Sequence, residues 1–151
     1  MSDNWICIIP KDPNVIPEIK IQKEAEKYFK SIVTQSDEIK TIVTDSIQFY
    51  DSGANFERIR CPFCQSEIEM DWWQEKMDND SNGDGFKLNT FAMPCCNRTT
   101  NLNNLLYDFE QGFSKYCIEA MNPNIDELGS ENIIKLKDIL GIEIKVIYQH
   151  I

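Results

Sequence analysis

The chain is 151 residues long, 42% hydrophobic and 11% aromatic, with a formal net charge of -10 at pH 7. That is enough apolar material for a packed core, and it excludes a chain disordered by composition. Arg58, Arg60 and Arg98 flank cysteine turns while the other cations are scattered lysines, so no basic stripe exists to hold a phosphate backbone and nucleic acid is not an expected partner.

Trp5-Ile6-Cys7-Ile8-Ile9 is a β-rich run stopped by Pro10. Asp12-Pro13-Asn14 makes a rigid turn, and Pro17 suits the first turn of a helix. From Pro17 to about Thr34, Ile21, Ala25, Tyr28, Phe29 and Ile32 recur at helical spacing, with lysines and glutamates on the wet face. A second strand is expected at Ser46–Tyr50, followed by a turn at Asp51-Ser52-Gly53. Phe56–Arg60 alternates and runs into Cys61. Leu102, Leu105 and Leu106 suit one or two helical turns, and Phe113–Met121 reads as a strand. A helix is expected over Glu131–Leu140, capped by Ser130 and ended by Gly141. Ile142–Tyr148 alternates as a final strand.

The order is strand-helix-strand, cysteine module, strand-helix-strand. Two such halves around one sheet make a ferredoxin-like α+β sandwich. We therefore expect one domain over 1–151, with a zinc-ribbon-like insert at about 56–100.

The opening Met1-Ser2-Asp3-Asn4-Trp5-Ile6 has no basic n-region and no long apolar stretch, so no secretory leader is expected. No apolar run approaches a membrane span, and no membrane partner is expected. The expected location is cytoplasmic, where thiols stay reduced. The six cysteines are then metal ligands, buried hydrophobes or redox groups rather than disulfides. Cys7 and Cys117 sit in apolar strand-like segments and read as small core residues.

The chemistry lies in Cys61-Pro62-Phe63-Cys64 and in Met93-Pro94-Cys95-Cys96-Asn97, with 30 residues between Cys64 and Cys95. Two thiol-bearing turns are the two halves of a tetrahedral thiolate site. A Cys-x-x-Cys turn puts two sulfurs on one ion and aims backbone N–H groups at them. The expected ligands are Cys61, Cys64, Cys95 and Cys96, holding a structural Zn²⁺. Adjacent Cys95 and Cys96 can both ligate only if the backbone turns sharply, so three cysteines with an outside ligand stay open. His150, the single histidine, reads as a surface residue.

These turns resemble those of the zinc-ribbon group, whose knuckles read Cys-Pro-x-Cys-Gly. The first knuckle matches, with Gln65 in place of glycine. In the second, methionine stands at the expected first cysteine, Cys95 is displaced to the middle, and Asn97 replaces glycine because it tolerates a left-handed backbone. The wider wording, Cys-Pro-x-Cys with a Trp-Trp pair and then Pro-Cys-Cys, is also similar to a set of uncharacterised bacterial proteins, a likeness that implies no activity.

The functional expectation is a zinc-binding protein-interaction or regulatory domain. Its acidic balance suits a basic protein partner, as for an immunity protein facing a toxin. The alternative is a thiol-disulfide oxidoreductase. Cys61-Pro62-Phe63-Cys64 also resembles the active turn of glutaredoxin-like proteins, in which a helix starts at the first cysteine, and Gln65–Lys76 is compatible with a helix. Other catalytic patterns are absent from the sequence, so no catalytic residue is assigned and the balance leans against an enzyme. Glu67, Glu69 and Asp71 read as solvated carboxylates. Asp78–Asp84 copies the opening of a calcium loop, but Asn89 stands where a bidentate glutamate belongs, which favours an acidic surface turn. Adjacent Trp72 and Trp73 cannot share a face; one should pack in the core and the other could anchor a partner.

Overall fold

The chain alternates between long apolar elements and very short polar-flanked ones, and this separates a sheet from a set of hairpins. A computed structural model describes residues 3–151. Met1 and Ser2, the start of the segment read for a leader, lie outside the described residues. In chain order the elements are β1 (Asn4–Pro10), α1 (Ile19–Ile32), β2 (Glu38–Tyr50), β3 (Ile59–Arg60), β4 (Glu67–Ile68), α2 (Met70–Asp80), β5 (Phe91–Ala92), β6 (Thr99–Thr100), a 3-10 turn (Leu102–Asn104), β7 (Leu106–Tyr107), β8 (Gly112–Met121), α3 (Ser130–Leu140) and β9 (Ile144–His150). The protein is mixed α+β, and every paired strand in these sheets runs antiparallel to its neighbour.

The four long strands form one sheet in the order β2-β8-β1-β9. Strand alternation sends Ile6 and Ile8 to one face and Cys7 and Ile9 to the other. On the first face they meet Ala25 and Phe29 of α1 and Leu136 and Leu140 of α3, together with Tyr116 and Ile118 of β8. The Tyr28 hydroxyl and Asn132 Oδ1, 2.9 Å apart, tie the two helices together. On the second face Cys7, Ile9, Cys117 and Ile147 form a smaller cluster edged by Trp5, Ile42 and Tyr50. Among the described residues, no helix is long and apolar enough to cross a membrane.

Three expectations change. β2 starts at Glu38, eight residues before Ser46. It is an edge strand, so its polar residues Lys40, Thr41 and Thr44 need no buried face, and its register shifts between Val43 and Gln48. Gly129, not Ser130, is the residue before α3, and no side chain caps that end. The helix ends as expected at Gly141, whose φ is 68°. The Leu102 segment makes a single 3-10 turn and then strand β7.

Residues 56–107 build the smaller sheets, β4-β3-β7 and β5-β6, with α2 between them. Their core contains Ile59, Ile68, Trp73, Met93, Leu102 and Tyr107, and it takes in Phe113 of β8 and Phe49 of β2. The adjacent tryptophans divide as helical spacing requires. Trp73 is buried, with its indole N–H donating to the Tyr107 hydroxyl at 3.2 Å. Trp72 is half-buried, edge-on to Phe91 at 5.3 Å with Lys76 over its ring.

Asp80 closes α2 onto the following loop. It is buried, and its carboxylate accepts from the backbone N–H groups of Lys87, Leu88 and Asn89 at 3.0, 2.7 and 2.8 Å. Replacing it with alanine orphans three donors. We expect Asp80→Ala to lower the unfolding free energy by about 2 to 3 kcal/mol in urea titrations.

Candidate metal centre

Two hairpins carry the cysteines, and each hairpin turns in the same way. In the first, between β3 and β4, the Cys61 N–H donates to Ser66 O at 2.9 Å and the Gln65 N–H to Cys61 O at 3.0 Å. In the second, between β5 and β6, the Met93 N–H donates to Arg98 O at 2.8 Å and the Asn97 N–H to Met93 O at 2.9 Å. Gln65 and Asn97 have φ of 63° and 62°. The hydrogen bonds and left-handed residues therefore pair Cys61 with Met93, Pro62 with Pro94, Phe63 with Cys95, and Cys64 with Cys96. Gln65 is the poorer occupant of a left-handed position, so Gln65→Gly should raise stability by about 0.5 kcal/mol, read as a higher urea midpoint.

Cys95 thus leaves its hairpin from the position that Phe63 holds in the other, not from the base. The sulfurs still converge: all four Sγ atoms lie within 4.8 Å of one another. Cys61 and Cys96 are 3.7 Å apart, and Cys64 and Cys95 are 3.3 Å apart. A tetrahedral Zn²⁺ with metal–sulfur bonds of about 2.3 Å sets its sulfurs about 3.8 Å apart, so small adjustments suffice for a metal ion to be held. Were all four sulfurs to ligate such an ion, no position would be left for a substrate. Cys61 is buried, Cys96 half-buried, and Cys64 and Cys95 are exposed, so the cluster sits at the surface with its base in the core.

The surroundings favour the thiolate at Cys61 and Cys64. Burial pushes the Cys61 thiol up, but the backbone N–H groups of Cys64 and Phe63 and the thiols of Cys95 and Cys96 outweigh it, and its pKa is lowered. The Phe63 N–H lies 3.4 Å from that sulfur. Cys64 is lowered to about 6, first by the Ser66 hydroxyl, 3.3 Å from its sulfur, then by the Ser66 N–H and by Cys95. Cys95 is pushed up to about 12, by desolvation and then by its thiol neighbours, because one thiolate beside it disfavours another. Arg60 and Arg58 sit on the adjoining strand region, both paired with Asp108. The Arg98 guanidinium lies 5.5 Å over the Phe63 ring. Ser66 had no place in the sequence reading; its only signal was its position directly after the knuckle.

The remaining candidates are placed as follows. The glutaredoxin-like alternative needs a helix beginning at the cysteine turn. The chain instead runs back as β4, paired to β3 through Ile59–Ile68 and Arg60–Glu67, and α2 starts only at Met70. In the Asp78–Asp84 segment, Asp80 and Asn82 turn their side-chain oxygens to backbone N–H groups of the same loop. Asp80 is turned inward, and Asn82 Oδ1 accepts from the Asp84 and Gly85 N–H groups. Glu67, Glu69 and Asp71 are exposed, Glu67 facing Arg58 at 3.9 Å. His150 lies at the end of β9, its Nδ1 2.6 Å from Asn4 Oδ1.

Cys7 and Cys117 are buried as expected, but their sulfurs also come together, within 4.8 Å of each other and of a Glu119 carboxylate oxygen. Burial and the Cys7 thiol push Cys117 far up, so the Cys117 thiol is protonated and apolar in character. Only the strand register reveals this proximity.

The chain matches no protein-family model, no curated protein and no solved structure. The resemblance to zinc ribbons therefore stands on the two knuckles and their geometry.

Proposed function

We propose that Cys61, Cys64, Cys95 and Cys96 bind one structural Zn²⁺ and that the protein is a cytosolic interaction or regulatory domain. The observation that carries this reading is the convergence of four sulfurs from two distant hairpins. In this reading the zinc-stapled segment at about 56–100 is an insert in one domain spanning 1–151. The body is ferredoxin-like, supported by two strand-helix-strand halves and by a strand order that places the first and third long strands side by side at the centre. A closed four-thiolate site supplies folding energy rather than catalysis.

The net charge of -10 favours a basic protein partner, an immunity-like role being the most specific version. Elemental analysis of protein purified without added metal tests the first half: one zinc per chain is expected, and red colour with iron in its place counts against zinc. Affinity capture from the native host tests the second half. The expected result is a basic protein whose retention weakens with salt; a partner held equally at high salt would speak against charge as the cause.

A further inference from the structure

An open groove of 350 Å³ lies beside the sulfur cluster. It is lined by Glu67 and Ile68 of β4, by Glu69 and Trp72 at the start of α2, and by Pro94 and Cys95 of the second cysteine turn. Its walls therefore come from the two chain segments that the cluster brings together. Trp72 is half-buried, while Glu67, Glu69, Pro94 and Cys95 are exposed, so the groove is open to a ligand from solution.

The negative charge in this groove is poorly compensated. Glu67 faces Arg58 at 3.9 Å, but Arg58 is already paired with Asp108. Glu69 has no ion-pair partner among the described residues, and its side chain caps nothing. Cys95 adds a second acceptor. The Cys61 sulfur receives the Phe63 N–H at 3.4 Å, and the Cys64 sulfur lies 3.3 Å from the Ser66 hydroxyl. Cys95 Sγ meets only other thiols, Cys64 Sγ at 3.3 Å among them. A metal ligand is a thiolate, and its charge is ordinarily offset by hydrogen-bond donors around it. Metal-bound Cys95 is thus an exposed thiolate short of a donor.

The apolar part of the groove is flat. The Trp72 indole is held edge-on to Phe91 at 5.3 Å, with Ile68 and Pro94 beside the same groove. Lys76, 5.5 Å from the Trp72 ring centre, lines a separate hollow with Asp80 and Phe91. No lysine or arginine lines the groove itself.

We propose that this groove takes an arginine side chain of a basic protein partner. The guanidinium pairs with Glu69 and donates to Cys95 Sγ, and its stem lies along Trp72 and Pro94. Arginine suits the site better than lysine because its planar fork donates to two acceptors at once and stacks on an aromatic ring. The assignment deepens the reading of a basic partner and rests on it, and the thiolate contact rests on the metal reading.

The probe is a capped glycine-arginine-glycine peptide, with lysine and citrulline versions as controls. Each is titrated into the full-length protein as purified while ¹H–¹⁵N spectra follow the Trp72 indole and the Glu69 and Cys95 amides. Saturable shifts centred on these three groups are expected with arginine. Citrulline keeps the shape without the charge and should bind about fivefold more weakly, with lysine also weaker than arginine. Glu69→Gln should weaken the arginine peptide by a similar factor, about fivefold. Asp71→Asn removes an exposed carboxylate that does not line the groove and should leave binding unchanged. The proposal is overturned if the arginine peptide does not saturate by about 20 mM, or if its shifts lie elsewhere on the surface. Equal weakening by Glu69→Gln and Asp71→Asn overturns it too, since diffuse attraction would then account for the binding. If it fails while a basic protein is still captured from the host, the groove is removed and the partner reading stands.

Discussion

Serine in place of Cys61 is expected to abolish stoichiometric metal binding and to unfold both hairpins, with β3 to β7 losing amide-exchange protection. Structural zinc in small domains contributes about 10–16 kcal/mol of apparent binding energy at neutral pH, far more than hairpins of two-residue strands can replace by packing. Cys61 has the largest lever of the four because it is wholly buried and receives backbone N–H groups at its sulfur. Chelation of the wild type should produce the same exchange pattern. The helix-facing side of the sheet is a separate cluster, but Phe49 of β2 and Phe113 of β8 belong to the hairpin core, so those two strands should lose part of their protection in both experiments. A Cys61→Ser protein that holds one equivalent of zinc with unchanged exchange would remove the metal centre from this account.

The displaced ligand gives a sharper control. Cys95→Phe alone should lose the metal. Met93→Cys combined with Cys95→Phe writes the Cys-Pro-Phe-Cys sequence into the second hairpin, and because the two turns share hydrogen bonds and left-handed residues it should bind zinc again. Acid acts in the same direction as chelation. Bound thiolates have pKa values depressed below the free thiol value of about 8.5, so their contribution is present above that value and is lost as pH falls. Cys64, already lowered to about 6 in the metal-free cluster, is a thiolate at neutral pH. Zinc uptake at pH 7 should therefore release fewer than four protons.

The parts of this protein visible in its sequence are those whose signal is local. Ile6 and Ile8 alternate with Cys7 and Ile9, and Ala25 and Phe29 lie one helical turn apart; in both cases the buried face can be read from spacing alone. Asn97 was readable as a left-handed residue, and Trp72 and Trp73 as occupants of different surroundings, for the same reason. The first half of β2 was not readable, because an edge strand of Lys40, Thr41 and Thr44 lacks the apolar alternation that marks a half-buried one. α2 carried little periodicity because it buries only Trp73, Met77 and Asp80, one of them charged. Neither the meeting of Cys7 with Cys117 nor the hydrogen bond from the Ser52 N–H to Gln111 Oε1 could be foreseen. Both depend on which strand lies beside which, information that pairs residues about 60 to 110 positions apart.

Truncation of Phe113 should produce the largest effect of any substitution outside the cysteines. Phe113 belongs to β8, the strand between β2 and β1, yet its ring is part of the core of the cysteine hairpins. It is fully buried, 4.9 Å from Phe49 and 5.1 Å from Phe86 by ring centroids, and its N–H lies 3.3 Å from Asn103 Oδ1. Phe113→Ala leaves a cavity bounded on one side by the backbone of the sheet and on the other by the Phe86 loop, and neither side can close it without moving the other. The cost expected for such a site is about 3 to 5 kcal/mol, or a fall of roughly 10 °C in melting temperature. Both units should respond, with the near-ultraviolet signal of Trp73 and the far-ultraviolet signal of the sheet falling together. A variant that melts within about 2 °C of the wild type, or that loses only the tryptophan signal, would mean that the hairpins and the sheet do not share this core.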